Sequence, residues 1–129
     1  IAHALADEIK SLGCEIAFFG KQSVDFDNSI TGQVTAELLG YNCVPVVVDF
    51  KLDGSKITAE REIEGGREVV ETELPAIITT QKGLNEPRYA SLKGIMASKK
   101  KTITEKAATQ SSNYSEIYDQ LQRLLLIQK

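Results

Sequence analysis

The sequence predicts an α/β fold in which an antiparallel hairpin region is inserted into a parallel-type sheet. Two observations lead to this prediction. A helix-like segment, a short apolar run and a glycine follow one another over residues 1–20, and this order of elements is typical of an α/β unit. Further along, Asp53-Gly54 and Gly65-Gly66 separate runs of alternating character, and such dipeptides are strong hairpin signals.

Length and composition restrict the possible classes of protein. The 129 residues are 42% apolar and suffice for one domain with a single core. This apolar fraction is too high for a disordered chain, and no run approaches the roughly 20 apolar residues of a membrane span. The 15 basic and 18 acidic residues give a net charge of −3. We therefore expect neither nucleic-acid binding nor direct membrane insertion.

The first segment is predicted to be a helix that begins at residue 1. Gly13 stands where a helix end favours a positive φ. Because the helix starts with the chain and no initiator Met precedes it, we expect the sequence to be a fragment. Apolar residues recur at helical spacing at Ile1, Ala4, Leu5, Ile9 and Leu12.

A buried strand and a second helix follow. The run CEIAFFG predicts a strand that ends at Gly20, and KQSVDFDNSI predicts a polar loop. Thr31 is predicted to cap the helix TGQVTAELLG through its hydroxyl, with Gly40 as the stop. The predicted apolar face of this helix consists of Val34, Leu38 and Leu39.

Strands dominate the middle of the chain. The runs VPVVVDFKL, KITAEREIE and REVVETEL predict an antiparallel meander, after which Leu74-Pro75 leads into AIITT, an apolar strand that could return to the main sheet. Ser91 is then predicted to cap a short helix. A last amphipathic helix is predicted to begin at Ser115, with its apolar side formed by Ile117, Leu121, Leu124 and Leu125.

The cysteines and the histidine suggest no catalytic centre. Cys14 and Cys43 lie in apolar stretches without further metal ligands, which favours two buried free thiols over a disulfide between them. His3 is the only histidine and lies on a predicted helix, so we expect it at a surface or an interface. A catalytic triad is nearly excluded, because a nucleophile would have only this base.

The loop before TGQ is the first candidate site. In open α/β sheets, ligands bind beyond the carboxyl ends of the strands, and a helix N-terminus there suits a phosphate. Gly20 and Gly32 would permit close backbone approach, and Lys21 adds a cation. Asp25 and Asp27 would repel phosphate but could accept hydrogen bonds from ribose hydroxyls. An ordinary connector loop and a nucleotide site both remain open.

Two further segments are candidate contact surfaces. In NEPRY, Arg88 and Tyr89 are residue types enriched at interface hot spots. The apolar residues that follow, Leu92, Ile95 and Met96, form either a docking surface or the inner side of a helix on its own core. The charged run EREIEGGRE is either the solvent face of a hairpin or an electrostatic contact with another subunit.

Three stretches together resemble the beta subunit of the electron-transfer flavoprotein family, from about Ile1 to Lys101: GKQSVDFDNSITGQ, EREIEGG and LPAIITTQKGLNEPRYASLKGIMASKKK. The resemblance implies a Rossmann-like, adenine nucleotide alpha hydrolase-like sheet with an antiparallel hairpin insertion. Residues 1–101 would belong to this nucleotide-binding domain, with a recognition loop at 84–97. Residues 102–129 would be a C-terminal arm ending in a helix that packs on the partner subunit. The family's beta subunit is about twice this long, so an N-terminal half would be missing.

The resemblance also implies a function. The family's alpha–beta heterodimer carries electrons from acyl-CoA and other primary dehydrogenases to a quinone reductase of the respiratory chain. FAD lies mainly in the alpha subunit, AMP is structural in the beta subunit, and the beta subunit has no turnover of its own. The compartment would be the cytoplasm in a bacterium or the mitochondrial matrix in a eukaryote. The alternatives are a bifurcating-type subunit with a second FAD, which the TGQ form disfavours, and a stand-alone adenine-nucleotide-binding module.

Site residues follow from the resemblance position by position. Family members often have Asn-Gln where Ser29 and Ile30 stand here, and often differ at Lys93-Gly94 and Ala97. The implied AMP-binding residues are Gly20, Lys21, Gln22, Ser23, Asp25, Asp27, Thr31 and Gly32. The implied dehydrogenase recognition residues are Asn85, Glu86, Pro87, Arg88, Tyr89, Leu92, Ile95 and Met96, with Leu92 as the anchor. The implied contacts to the alpha subunit are Glu60 and Glu62.

Overall fold

The computed structural model describes residues 1–107, which form one five-stranded sheet and three helices. The strand order across the sheet is β1-β5-β2-β3-β4. In chain order, the elements are α1 (Ala2–Leu12), β1 (Ile16–Gly20), α2 (Thr31–Leu39), β2 (Asn42–Asp53), β3 (Lys56–Ile63), β4 (Gly66–Glu73), β5 (Ala76–Thr80) and α3 (Leu92–Ser98).

The sheet has a parallel part and an antiparallel part, as the sequence predicts. Strand β5 pairs in parallel with β1 on one side and with β2 on the other. Strands β2, β3 and β4 form an antiparallel meander whose two-residue turns are Gly54-Ser55 and Glu64-Gly65, each displaced by one position from the predicted Asp53-Gly54 and Gly65-Gly66. The predicted return of AIITT to the main sheet is confirmed, because β5 lies between β1 and β2. The α/β fold with an inserted hairpin region is thereby confirmed.

Strand β2 belongs to both parts, and an irregularity marks the change of partner. Its register shifts between Val44 and Val47 and again between Val47 and Asp49. Val46 adopts a φ of 60°, which a β-branched side chain rarely does. The backbone N–H of Val46 donates to the buried Thr79 hydroxyl at 2.9 Å. This side-chain acceptor replaces the ladder hydrogen bond that the bulge removes.

Helix α2 packs on the sheet through small residues, so the predicted apolar face was wrong. Its buried residues are Gly32, Thr35 and Ala36. Val34 and Leu38, two of the predicted face residues, are 40% and 41% exposed. Gly32, Thr35 and Ala36 stand at positions i, i+3 and i+4, so they share one face of the helix. Their small side chains let α2 approach the sheet closely.

The helix ends follow the glycine and serine signals with one correction. Gly13 and Gly40 end α1 and α2 with φ values of 64° and 67°, as predicted. Ser91 caps α3, because its hydroxyl accepts from the N–H of Gly94 at 3.1 Å. The predicted cap at Thr31 was wrong: Ile30 occupies the N-cap position. Thr31 is the first helical residue.

The main core lies where the meander meets the parallel strands. Its fully buried members come from β2, β3 and β5, namely Val44, Val47, Ile57, Ala59, Ala76 and Ile78. Both cysteines are free thiols, as expected, although each is only half-buried. Burial raises the pKa of the Cys43 thiol. Within residues 1–107, no helix is long and apolar enough to span a bilayer. The helix predicted from Ser115 lies outside the described residues.

Candidate functional site

The loop between β1 and α2 lies at the carboxyl ends of two parallel strands. The backbone N–H of Lys21, directly after β1, donates to the carbonyl of Thr80 at the end of β5, at 3.0 Å. The loop surrounds a cavity of about 390 Å³. Most of the predicted AMP-binding residues line it, namely Gly20, Lys21, Gln22, Ser23, Asp25 and Thr31.

Hydrogen bonds within the loop hold its shape. The Gln22 amide donates to Asp27 Oδ1 at 2.8 Å, and its oxygen accepts from the Ser29 hydroxyl at 3.1 Å. Asp27 and Ser29 both adopt left-handed backbone conformations, with φ values of 52° and 51°. Asp27 therefore acts on the loop through Gln22 and does not line the cavity.

Asp25 is an ionised hydrogen-bond acceptor. The hydroxyl of Ser23 and the N–H of Phe26, the latter at 3.0 Å, lower the pKa of the Asp25 carboxyl. A lowered pKa is unsuitable for a general acid at neutral pH, which disfavours Asp25 in that role. A carboxylate accepts readily from hydroxyls such as those of a ribose. Among residues 1–107, no three His, Cys, Asp or Glu side chains converge as metal ligands.

The start of α2 supplies the feature that suits a phosphate. The N-cap residue, Ile30, makes no side-chain cap hydrogen bond, so the first helical N–H groups are not capped by a side chain. Partial positive charge accumulates at such an end, and the Lys21 side chain is nearby on the same cavity. The combination favours an anionic group at this edge.

The two glycines of the site have different roles. A Cβ on Gly20 would meet nothing closer than the Gln22 carbonyl at 4.0 Å, so a ligand has room there. A Cβ on Gly32 would lie 2.6 Å from Thr79 Cγ2, so Gly32 allows α2 to pack on the sheet. Gly32 is buried and does not line the cavity.

Some cavity residues were not predicted as site residues. Phe26 and Asn28 line the cavity from the loop, and position within the loop was a usable signal for both. Ile1 also lines it, from the start of α1, and no local sequence pattern indicates that contact.

The recognition loop at 84–97, called the recognition segment below, exposes its apolar side chains. Tyr89 is fully exposed, Leu92 is 82% exposed and Met96 is 68% exposed, while Ile95 is 44% exposed. The interpretation of α3 as a helix on its own core was therefore wrong for the described residues. The start of the segment lies over the sheet, where Asn85 and Leu84 line a cavity of about 430 Å³ beside Phe18 and Phe50.

The hairpin pairs its charges unequally. Glu60 accepts from Arg67 at 3.4 Å, and Arg61 pairs with Glu68 at 2.6 Å across β3 and β4. Glu62 instead accepts from the neutral amide of Gln81 at 3.2 Å. Glu60 thus contacts a cation and Glu62 a neutral amide, although Arg67 is the residue opposite Glu62 in the β3–β4 register and lies beside both carboxylates.

The sheet topology and the loop at its carboxyl edge define a Rossmann-like α/β domain with a candidate nucleotide site. The family model of the electron transfer flavoprotein domain matches residues 1–111. The chain belongs to this electron transfer flavoprotein family.

Similar proteins carry the name electron transfer flavoprotein subunit beta. The mouse protein is 43% identical over 103 residues, which is 80% of this chain and 40% of the relative. The protein from Bradyrhizobium diazoefficiens is 45% identical over 91 residues, 70% of this chain and 36% of the relative. The protein from Syntrophomonas wolfei is 39% identical over 118 residues, 92% of this chain and 47% of the relative. The chain thus spans less than half the length of these curated relatives.

Proposed function

We propose that this chain is part of the beta subunit of a heterodimeric electron-transfer flavoprotein. The alpha subunit would hold most of the FAD. The heterodimer would take electrons from acyl-CoA and other primary dehydrogenases and pass them to a quinone reductase of the respiratory chain. The chain itself would turn over no substrate. Family membership supports this proposal, and the observation that carries it is the exposed apolar side of α3 directly after NEPRY.

Exposure of Leu92 supports its role as the dehydrogenase anchor. A leucine that is 82% exposed contributes little to folding, but burying it in a partner's pocket supplies about 1.5–3 kcal/mol. That range corresponds to roughly a ten- to hundredfold difference in affinity. Such a contact is strong enough for selection and weak enough for release. The neighbouring apolar side chains of Ile95 and Met96, with Tyr89 and Arg88, would complete the docking surface after the turn at Asn85, Glu86 and Pro87.

The test of this proposal is Leu92→Ala in the full subunit bound to its alpha partner. We expect the KM for the carrier to rise about tenfold or more in reduction by a dehydrogenase, with the free energy of unfolding nearly unchanged. Leu12→Ala is the matched control, because Leu12 is a leucine that is 64% exposed at the end of α1, outside the recognition residues. Unchanged reduction in Leu92→Ala would contradict the proposal and favour a stand-alone nucleotide module.

AMP is the proposed ligand of the loop cavity. Its phosphate would lie at the α2 N-terminus near Thr31, with Lys21 as counter-charge and Asp25 accepting from the ribose. The cavity of about 390 Å³ offers room for a mononucleotide. Lys21→Ala should weaken AMP binding, whereas Lys51→Ala, an exposed lysine on β2, should not. Equal affinity in both variants would contradict this placement.

The hairpin and the arm are the proposed contacts to the alpha subunit. Glu62, whose carboxylate contacts a neutral amide, would be more available to a partner's cation than Glu60, which pairs with Arg67 at 3.4 Å. At the start of the arm, the Lys106 ammonium donates to both carboxylate oxygens of Glu8, at 2.6 and 2.8 Å. Residues 102–129 are the proposed arm that packs on the alpha subunit. We expect Glu62→Gln to weaken heterodimer formation more than Glu60→Gln.

The compartment follows from the proposed function. A bacterial chain would work in the cytoplasm and a eukaryotic one in the mitochondrial matrix, where its electron donors lie. Two half-buried free thiols fit a reducing compartment of either kind.

A further inference from the structure

The nucleotide loop, strand β2 and the recognition segment (residues 84–97) come together near the end of β5. The carbonyl of Thr80 accepts from the N–H of Lys21, the first residue of the nucleotide loop, and the Thr80 hydroxyl donates to the carbonyl of Phe19 at 3.0 Å. The next residue, Gln81, donates its backbone N–H to the Val47 carbonyl at 2.9 Å, beside the β2 bulge. The backbone at this junction is therefore fixed to β1 and β2 before the recognition segment begins.

The side chain of Gln81 uses both ends of its amide. Its Nε2 donates to Glu62 Oε2 on β3 at 3.2 Å, and its Oε1 accepts from the backbone N–H of Lys82 at 3.2 Å. Exchanging the amide oxygen and nitrogen would break both hydrogen bonds, so the two contacts define one orientation. After Lys82 the chain passes through Gly83, with a φ of 100°, toward Asn85.

We propose that Gln81 is a positioning residue that fixes the recognition segment relative to the hairpin carboxylate Glu62. One end of the amide holds the first N–H of the segment that leads to α3. The other end holds the carboxylate proposed to face the alpha subunit. The inference rests on the proposed function, and it assigns a role to a residue outside the proposed contact surfaces.

A neutral amide is the side chain that suits this position. A lysine at position 81 would balance the Glu62 charge, as Arg67 does for Glu60, and would leave less charge for a partner's cation. A glutamate would repel Glu62 but could still accept from the N–H of Lys82. Leucine has a similar size and would lose both contacts. Gln81→Glu and Gln81→Leu therefore separate the two contacts of the amide. The first keeps the contact to Lys82 and loses the one to Glu62, whereas the second loses both.

The first experiment measures the segment itself by amide hydrogen exchange of the full subunit bound to its alpha partner. In Gln81→Leu, the Lys82 N–H loses its acceptor, and we expect its exchange to accelerate about two- to tenfold, the range of one net hydrogen bond. In Gln81→Glu, the acceptor is kept, so the exchange of Lys82 should stay near that of the natural chain. Equal Lys82 exchange in the natural chain and in Gln81→Leu would overturn the inference.

The second experiment measures reduction of the full heterodimer by a dehydrogenase. We expect both Gln81 variants to raise KM about two- to tenfold with a smaller change in kcat, because docking geometry is affected and chemistry is not. Glu62→Gln combined with Gln81→Glu restores a hydrogen bond with donor and acceptor exchanged, so the double variant should perform no worse than Glu62→Gln alone. Glu37→Gln, an exposed carboxylate on α2, is the matched surface control.

The two experiments separate failure of the inference from failure of the proposed function. Unchanged KM in both Gln81 variants, in a heterodimer that a dehydrogenase does reduce, overturns the positioning role and leaves the proposed function intact. If no dehydrogenase reduces the natural heterodimer, the proposed function fails together with the docking part of the inference. Exchange at Lys82 then still reports whether Gln81 holds the segment.

Discussion

Replacing Gly32 by alanine should destabilise the domain, although alanine is the better helix former. In α2 an alanine would gain at most about 1 kcal/mol in helix propensity. Its Cβ would lie 2.6 Å from Thr79 Cγ2, and 3.4 Å from two atoms of Phe19. Overpacking of this kind raises the free energy of the folded state by about 1–3 kcal/mol. We expect the free energy of unfolding, measured by urea denaturation, to fall by about 1–2 kcal/mol.

The cause of this loss is tested by removing the atom that alanine would meet. Thr79→Ser deletes Cγ2 and keeps the hydroxyl that accepts from Val46. In the Thr79→Ser background, Gly32→Ala should therefore lose at least about 1 kcal/mol less than it does in the natural chain. An equal loss in both backgrounds, or a natural-chain variant that is as stable as the parent, would refute the close approach of α2 to β5.

Three further outcomes follow from named contacts. Thr79→Val should lower the free energy of unfolding by about 1–3 kcal/mol, because the buried N–H of Val46 loses its acceptor, whereas Thr79→Ser should lose less; urea denaturation compares the two. Cys43 should react with iodoacetamide at pH 8 more slowly than an unstructured cysteine peptide, because burial raises its thiol pKa and reduces the thiolate fraction; an equal rate would argue against this burial. Because the pKa of Asp25 is lowered, its hydrogen bonds stabilise the loop at neutral pH and are lost as the pH falls through a value below 3.8; an NMR titration should show this midpoint, and Ser23→Ala should move it upward.

Local signals predicted most of the sheet. Asp53-Gly54 and Gly65-Gly66 indicated to within one position where the meander turns, since few other residues suit these conformations, and the observed strands begin and end within a few residues of the predicted ones. Ser91 and the helix-ending glycines were predictable for the same reason. The return of β5 between β1 and β2 followed from the apolar run Ala76, Ile77 and Ile78, which is typical of a central parallel strand.

Tertiary contacts explain what the sequence did not predict. The inner face of α2 depends on Gly32 and Ala36, and small residues give no hydrophobic periodicity to detect. The left-handed Val46 donates its N–H to the Thr79 hydroxyl, which is 33 residues away in sequence, and no local pattern indicates this contact. In the candidate site, the loop residues were predictable from their place after β1, whereas the contact of Gln81 with Glu62 depends on the register of the whole meander.

The most direct measurement is the cofactor content of the purified heterodimer. The full subunit containing this chain would be purified with its alpha partner, denatured, and its released cofactors quantified by absorbance and mass. We predict equal amounts of FAD and AMP, with the AMP lost in Lys21→Ala and the FAD retained. Two flavins for each heterodimer, or one flavin without any adenine mononucleotide, would contradict the view that this chain is the AMP-holding and dehydrogenase-docking part of an electron carrier.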